Sequence, residues 1–164
     1  GLAYKNIGIL YYDLANYKES LKNLITSVKI NEKINNTQGI ADAKIWIGVV
    51  HEFGLKKYRI ALSYYFDALA SYKKLNADDR ISYCYNNLGN TYNKMQLPDS
   101  GLYFMNLSLQ IKIKNKDTLA IGSAYNNIGT ILYDQKEYDK SLEYYFNSLK
   151  FRENESDQVG KEIV

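Results

Sequence analysis

One stretch, Ser123–Ala124–Tyr125–Asn126–Asn127–Ile128–Gly129, returns along the whole of this 164-residue chain, four copies in all. Its nearest copy is Ser82–Tyr83–Cys84–Tyr85–Asn86–Asn87–Leu88–Gly89, and more divergent copies end at Gly8 and Gly48. The four glycines stand at 8, 48, 89 and 129, a period of 40, 41 and 40 residues. A second block follows each at a near-fixed distance: Ser20–Leu21, Ala61–Leu62, Gly101–Leu102 and Ser141–Leu142. Self-similarity at such a period describes a stacked array, in which each unit buries its apolar face only against its neighbours. The chain therefore reads as one array over 1–164, with repeats at 1–36, 37–77, 78–116 and 117–156 and the start of a fifth at 157–164.

Within each period the apolar residues fall at helical spacing. Ala124, Ile128, Ile131 and Leu132 form one stripe, and Tyr138, Leu142, Tyr145, Phe146 and Leu149 form the next after a short polar break. Each unit is thus a pair of antiparallel helices, A then B, and the fold class is all-α, a solenoid of helix pairs. The pattern predicts helices over 2–14, 17–33, 39–54, 57–74, 79–94, 98–114, 118–134 and 137–153. Thr37, Asp78, Thr118 and Asp157 stand at equivalent places as candidate N-caps, and Pro98 suits the first turn of its helix. The extra residue of the second period is expected in the turn around 53–57. A glycine inside a helix costs about 1 kcal/mol relative to alanine. Four at one register imply close approach of A to B, with the small residues Ser20, Ala61, Gly101 and Ser141 opposite. Leu24, Tyr65, Met105 and Tyr145 are then expected to fill the space to the neighbouring repeat.

The repeats resemble the tetratricopeptide repeat. Tyr4, Ile7–Gly8, Tyr11, Ser20, Leu24 and Ser27 carry the likeness in the first unit, and Tyr125, Ile128–Gly129, Leu132, Ser141, Tyr145 and Ser148 in the fourth. Two departures stand out: the period of about 40 is longer than the usual 34, and the proline that ordinarily follows helix B is missing. The long helices and the Asn–Asn–Leu–Gly motif look like the extended repeats of bacterial regulators and sensors and of kinesin light chains. The resemblance implies a right-handed superhelix whose A helices line a concave groove. It also implies a module that binds a protein or peptide rather than an enzyme.

The family's groove positions fall here on Lys5, Asn6, Tyr12, Asp42, Trp46, Glu52, Phe53, Tyr83, Asn86, Asn87, Asn90, Lys94, Asn126, Asn127 and Tyr133. Asn6, Asn87 and Asn127 share one register, where an amide both donates and accepts. They are either a ladder for a peptide main chain or a repeated bond between helices. Trp46, Phe53 and Ile45, with Tyr12 nearby, make the first half of the groove apolar, unless Trp46 packs inward because Lys44 occupies the usual aromatic place. A clamp for carboxylate termini would need polar residues where Ile9 and Trp46 stand.

Other functions fit poorly. His51 and Cys84 are the only histidine and cysteine and fall in different repeats, so no metal cluster or nucleophile–base pair is offered. No catalysis, cofactor or metal is expected. A net charge of +3, with Lys and Arg interleaved among Asp and Glu, lacks the basic face that nucleic acid needs. No run approaches the roughly 20 apolar residues of a membrane span. The composition fits an AT-rich bacterial gene. Ends that fall mid-repeat suggest a piece of a longer regulatory protein, cytoplasmic by default and periplasmic if the parent carries a signal. The alternative to a peptide-binding groove is self-association through exposed repeat ends, giving a homo-oligomer.

Overall fold

The computed structural model describes the backbone of residues 1–161 and the side chains of residues 1–152. The described chain is four helix pairs: α1 Leu2–Asp13 with α2 Tyr17–Lys33, α3 Thr37–Val49 with α4 Tyr58–Lys74, α5 Asp78–Lys94 with α6 Pro98–Lys114, and α7 Thr118–Asp134 with α8 Tyr138–Lys161. Each helix packs against the next in the chain, and the all-α solenoid expected from the period is the fold observed.

The turns share one device. Ala15, Asn35, Lys56, Asn76, Gln96, Lys116 and Lys136 each take a left-handed backbone, one per turn. At six of the seven, two N–H groups return to the last helical turn, as Ala15 N to Tyr12 O (2.8 Å) and Asn16 N to Tyr11 O (2.8 Å) do. This satisfies carbonyls that a helix end otherwise leaves open. The caps sit one residue before the expected ones. Asn36 accepts from Gly39 N (2.9 Å) and Asp117 from Ala120 N (3.0 Å), while Ala77 offers no side-chain cap. Thr37, Asp78 and Thr118 are the first helical residues instead.

The second unit breaks the pattern. Its extra residue is absorbed as one wide turn of π-helix, Val50–Gly54, directly continuing α3. Leu55 N reaches back five residues to Val50 O (3.0 Å), and Lys57 N six to His51 O (2.6 Å). Insertion of one residue into a helix without breaking it is what such a turn does.

The glycine register is explained by helix contact. Ser20 Oγ donates to Gly8 O (2.7 Å) and Ser141 Oγ to Gly129 O (2.8 Å), so A and B touch backbone to side chain. A Cβ on Gly89 would stand 3.0 Å from the carbonyl oxygen of Gly101. The large residues do two things. Leu24, Tyr65 and Met105 reach the next repeat as expected, and all four, Tyr145 included, also contact the glycines of their own repeats. A Cβ on Gly8 would lie 2.7 Å from Leu24 Cγ.

Three apolar clusters hold the array, one at each junction between repeats. Leu24, Ile47 and Val50 join the first two, with Leu21 and Val28 against them. Tyr65, Leu69, Ile81, Cys84 and Leu88 belong to the second junction, and Met105, Leu109, Ala124, Ile128 and Ile131 to the third.

The helix boundary expected at Asp157 is not found: α8 runs on as helix through that position to Lys161. Among the described residues no further helix packs there, so nothing offsets the hydrogen bonds that a break would forfeit. Residues 162–164 of the expected fifth unit lie outside the described residues.

Candidate functional site

The A helices stand side by side, and their N-terminal halves enclose three notches, one per junction. The first, about 230 Å³, is lined by Leu2, Lys5, Asn31, Asn36, Gly39 and Asp42 among others. The second, about 260 Å³, has Lys5, Asp42, Ile45, Trp46, Tyr72, Arg80 and Tyr83. The third, about 300 Å³, includes Tyr83, Asn86, Lys112, Asp117, Ser123 and Asn127. Asp42 is a wall of the first two and Tyr83 of the last two, so the notches follow one another along a single face. They are also equivalent in register: Asn31, Tyr72 and Lys112 are one repeat position, reached from helix B.

That B-helix position sets each notch's chemistry. Asn31 is buried and donates to Ser27 O (2.9 Å), while its Oδ1 accepts from Asn36 (3.2 Å). Tyr72 is buried and donates to Asp42 Oδ1 (2.5 Å), with Arg80 Nη1 at 4.0 Å from the same oxygen. Burial, helped by that bond, pushes the Tyr72 hydroxyl well above the usual phenol range. Lys112 is half-buried, and burial lowers its ammonium's pKa. Desolvation penalises a charged form, whichever its sign.

Of the residues expected in the groove, Lys5, Asp42, Trp46, Tyr83, Asn86 and Asn127 line these notches. Trp46 is half-buried and meets Tyr12 edge-on at 6.1 Å, so it packs partly inward, against two core clusters, and still borders the middle notch. Asn127 Nδ2 donates to Asn86 Oδ1 (2.8 Å) across the third junction. For this residue the bond between helices is the arrangement observed. Asn87 holds the same register one repeat earlier, but the residue equivalent to Asn86 there is Ile45, which carries no acceptor. Its buried Nδ2 has no hydrogen-bond partner. Asn6, in the first unit, is exposed, and Asn90 and Asn126 are half-buried; none of the three lines a notch described above.

The wide turn rearranges the other half of the face. Glu52 turns inward and is 1% exposed, accepting from Tyr65 Oη (2.7 Å) and Lys94 Nζ (2.9 Å). Phe53 turns outward, half exposed, with Lys94 Nζ 3.4 Å from its ring centroid. His51 stacks flat on Tyr64 at 5.9 Å. Tyr133 lies edge-on against Tyr138 at the last turn, apart from the others.

Arg80, Tyr72 and Lys112 were not among the expected residues. The signal for the last two was their common register with Asn31, at spacings of 41 and 40 residues along helix B. The Glu52–Lys94 pair was carried by two groove positions, but its inward direction depends on the wide turn.

His51 lies in that turn and Cys84 in the core of α5. Among the described residues no three His, Cys, Asp or Glu side chains stand where they could hold a metal ion, and no helix is long and apolar enough to cross a membrane.

Residues 122–155, the body of the fourth unit, match the tetratricopeptide repeat family model. No curated protein matches the chain. Solved structures share its fold. BtubC (BKLC) from P. vanneervenii superposes with a TM-score of 0.82 at 19% identity, over 93% of this chain and 63% of that one. The apo form of RapI gives 0.82 at 17% identity, over 94% and 56%, and MamA 0.68 at 19%, over 94% and 79%. The chain thus spans less than two thirds of the length of BtubC and RapI. Repeats of this kind generally mediate protein–protein interaction and typically form non-catalytic scaffolds. Residues 122–155 thus carry a tetratricopeptide repeat, and the chain as a whole shares the helical-repeat fold of these structures.

Proposed function

We propose that the chain is a binding scaffold that holds an extended segment of a protein partner along the A-helix face. In this reading it is the sensing or docking part of a larger bacterial regulatory protein and carries no catalytic activity of its own. The observation behind it is the succession of three register-equivalent notches with shared walls, each of different chemistry. An extended chain laid across them meets polar groups at the first, an aromatic and a guanidinium at the second, and amides at the third. Asn87, next to Asn86 on the wall of the third notch, adds a buried amide donor without a hydrogen-bond partner.

Trp46 is the only tryptophan and borders the middle notch, so its emission reports on that face. An array of immobilised peptides of varied sequence, probed with the labelled chain, tests the reading. Binders are expected to shift Trp46 emission and to lose about tenfold in affinity, roughly one hydrogen-bonded contact, against Asn87→Ala/Asn127→Ala. Binders indifferent to that variant and silent at Trp46 place the binding surface elsewhere.

A further inference from the structure

Resting on the groove reading above, we propose that the partner segment carries opposite charges in a fixed order. An acidic side chain sits in the middle notch and a basic one in the third.

The notches are alike in register and unlike in charge. Gly39, Arg80 and Ala120 hold one repeat position and line the first, middle and third notches in turn. Only the middle notch therefore presents a guanidinium there, and Lys5 adds a second cation to it. Its one carboxylate, Asp42, already accepts from Tyr72 Oη and lies 4.0 Å from Arg80 Nη1. That distance is beyond hydrogen-bond reach, so the planar fork of Arg80 keeps its donors free for another carboxylate. The Arg80 side chain is 53% exposed, the Asp42 side chain only 18%. Two cations against one satisfied carboxylate leave the middle notch with a positive surplus. Trp46 and Tyr83 line it as well, and apolar walls strengthen the field of a charge beside them.

The third notch has the opposite surplus. Asp79 and Asp117 line it against one cation, Lys112, whose hold on its proton burial weakens. Asp79 accepts from Asn115 Nδ2 (2.9 Å) and Asp117 from Ala120 N (3.0 Å), both uncharged donors. Among the described residues neither carboxylate forms an ion pair, whereas the adjoining Asp78 is paired with Lys114 at 2.8 Å. Tyr83 is a wall of both notches, so the two surpluses are neighbours on one face. A segment with its acidic side chain at Arg80 and its basic one at Asp79 gains at both. Laid the other way, it sets each charge against its like. The face selects direction as well as composition.

The probe is a display library of random short peptides, selected on the wild type, on Arg80→Glu and on Asp79→Lys. Each substitution inverts the surplus of its notch. Both residues are exposed, and circular dichroism establishes that the variants fold. Peptides selected on the wild type are expected to carry an acidic and a basic residue a few positions apart, always in the same order, and to shift Trp46 emission. Such a peptide is expected to lose about tenfold in affinity on Arg80→Glu, roughly one charge-assisted hydrogen bond. It should regain that affinity when its acidic residue is exchanged for lysine. Asp79→Lys is expected to act in the same way on the basic residue alone. Peptides that shift Trp46 emission without a fixed order of charge, or that ignore either variant, overturn the inference and leave the groove reading standing. A selection that enriches nothing, or only peptides silent at Trp46, overturns both.

Discussion

Glu52 and Tyr65 face each other across the second repeat, carboxylate to hydroxyl at 2.7 Å, with Lys94 of the third repeat closing on the other oxygen at 2.9 Å. The Glu52 side chain is fully buried, and the Lys94 side chain is about one-third exposed (35%). A buried ion pair adds little net stability over an apolar substitute, yet removing one partner strands the other charge. Lys94→Met is therefore expected to lose about 2–3 kcal/mol of stability, whereas Glu52→Gln/Lys94→Met should lose less than the single change. Urea unfolding of the three variants against wild type measures this. A Lys94→Met loss below about 0.5 kcal/mol would mean that water screens the pair as it does at a surface.

Stability should fall at both ends of the pH scale, for reasons of opposite sign. Burial pushes the Cys84 thiol up to about 12 from its ordinary 9.0, and it raises the Tyr65 and Tyr72 hydroxyls far above 10.0. The native state holds these protons more tightly than the unfolded chain does. Their contribution is present below the ordinary values and is lost as pH rises through them. Lys112, whose pKa burial lowers, works in the opposite direction there, as one group against three. On the acid side, burial and then Lys57 lower the pKa of His51 from 6.5, so its contribution is lost as pH falls below that value. Urea midpoints are expected to plateau between about pH 7 and 9. Tyr65→Phe should flatten the alkaline limb, and His51→Phe the acid one while keeping the stack on Tyr64. A profile that still climbs above pH 10 would contradict the burial of all three groups.

The repeat glycines are not equivalent. A Cβ at Gly48 overlaps Tyr65 Cε1, a buried ring whose hydroxyl is tied to Glu52. At Gly129 the same atom would stand 2.9 Å from the ring of Tyr145, which is half-buried and whose hydroxyl donates to exposed Thr130. Alanine gains about 1 kcal/mol in helix propensity at either site, and overpacking costs about 1–3 kcal/mol where the neighbour is fixed. Gly129→Ala is expected near neutral by thermal or urea unfolding and Gly48→Ala clearly destabilised. Equal effects at the two sites would mean that Tyr65 moves as readily as Tyr145.

Features that repeat were legible in the sequence; those that depend on a single departure were not. The glycine register with Ser20 and Ser141 opposite followed from the period, because close helix contact leaves the same mark in every copy. The insertion in the second unit was also visible, between Gly48 and Ala61. Its absorption as a wide helical turn was not visible, since a spare residue reads equally well as loop. Glu52 and Phe53 depend on that turn: it buries the first and exposes the second, against the helical register that placed both in a groove. The caps missed by one residue because Asn36 and Thr37, like Asp117 and Thr118, are both capable of capping, and the choice rests on the backbone of the preceding left-handed residue. Tyr72 bonding to Asp42 joins residues 30 apart, a pairing that no local pattern carries.

Asn6, Asn87 and Asn127 share a register and meet three different neighbourhoods, and the difference separates packing from binding. Asn127 has its partner in Asn86, so Asn127→Leu removes a bond and leaves Asn86 without its donor, a loss of about 1 kcal/mol. Asn87 faces a repeat in which Ile45 has replaced the acceptor, and its buried Nδ2 bonds to nothing. Replacing an unsatisfied buried donor with an apolar side chain of similar size removes a desolvation cost. Asn87→Leu is therefore expected to raise stability by about 1 kcal/mol, measured by urea unfolding. In the binding reading the amide serves the partner, so the same variant should bind a groove-directed peptide about tenfold more weakly. Fluorescence titration on Trp46 reads that second quantity. Gained stability with unchanged affinity would make Asn87 a relic of repeat duplication and leave the peptide contacts to the residues that line the notches. Lost stability would mean that the amide finds a partner in solution, most simply a bridging water between Asn87 and a neighbouring carbonyl.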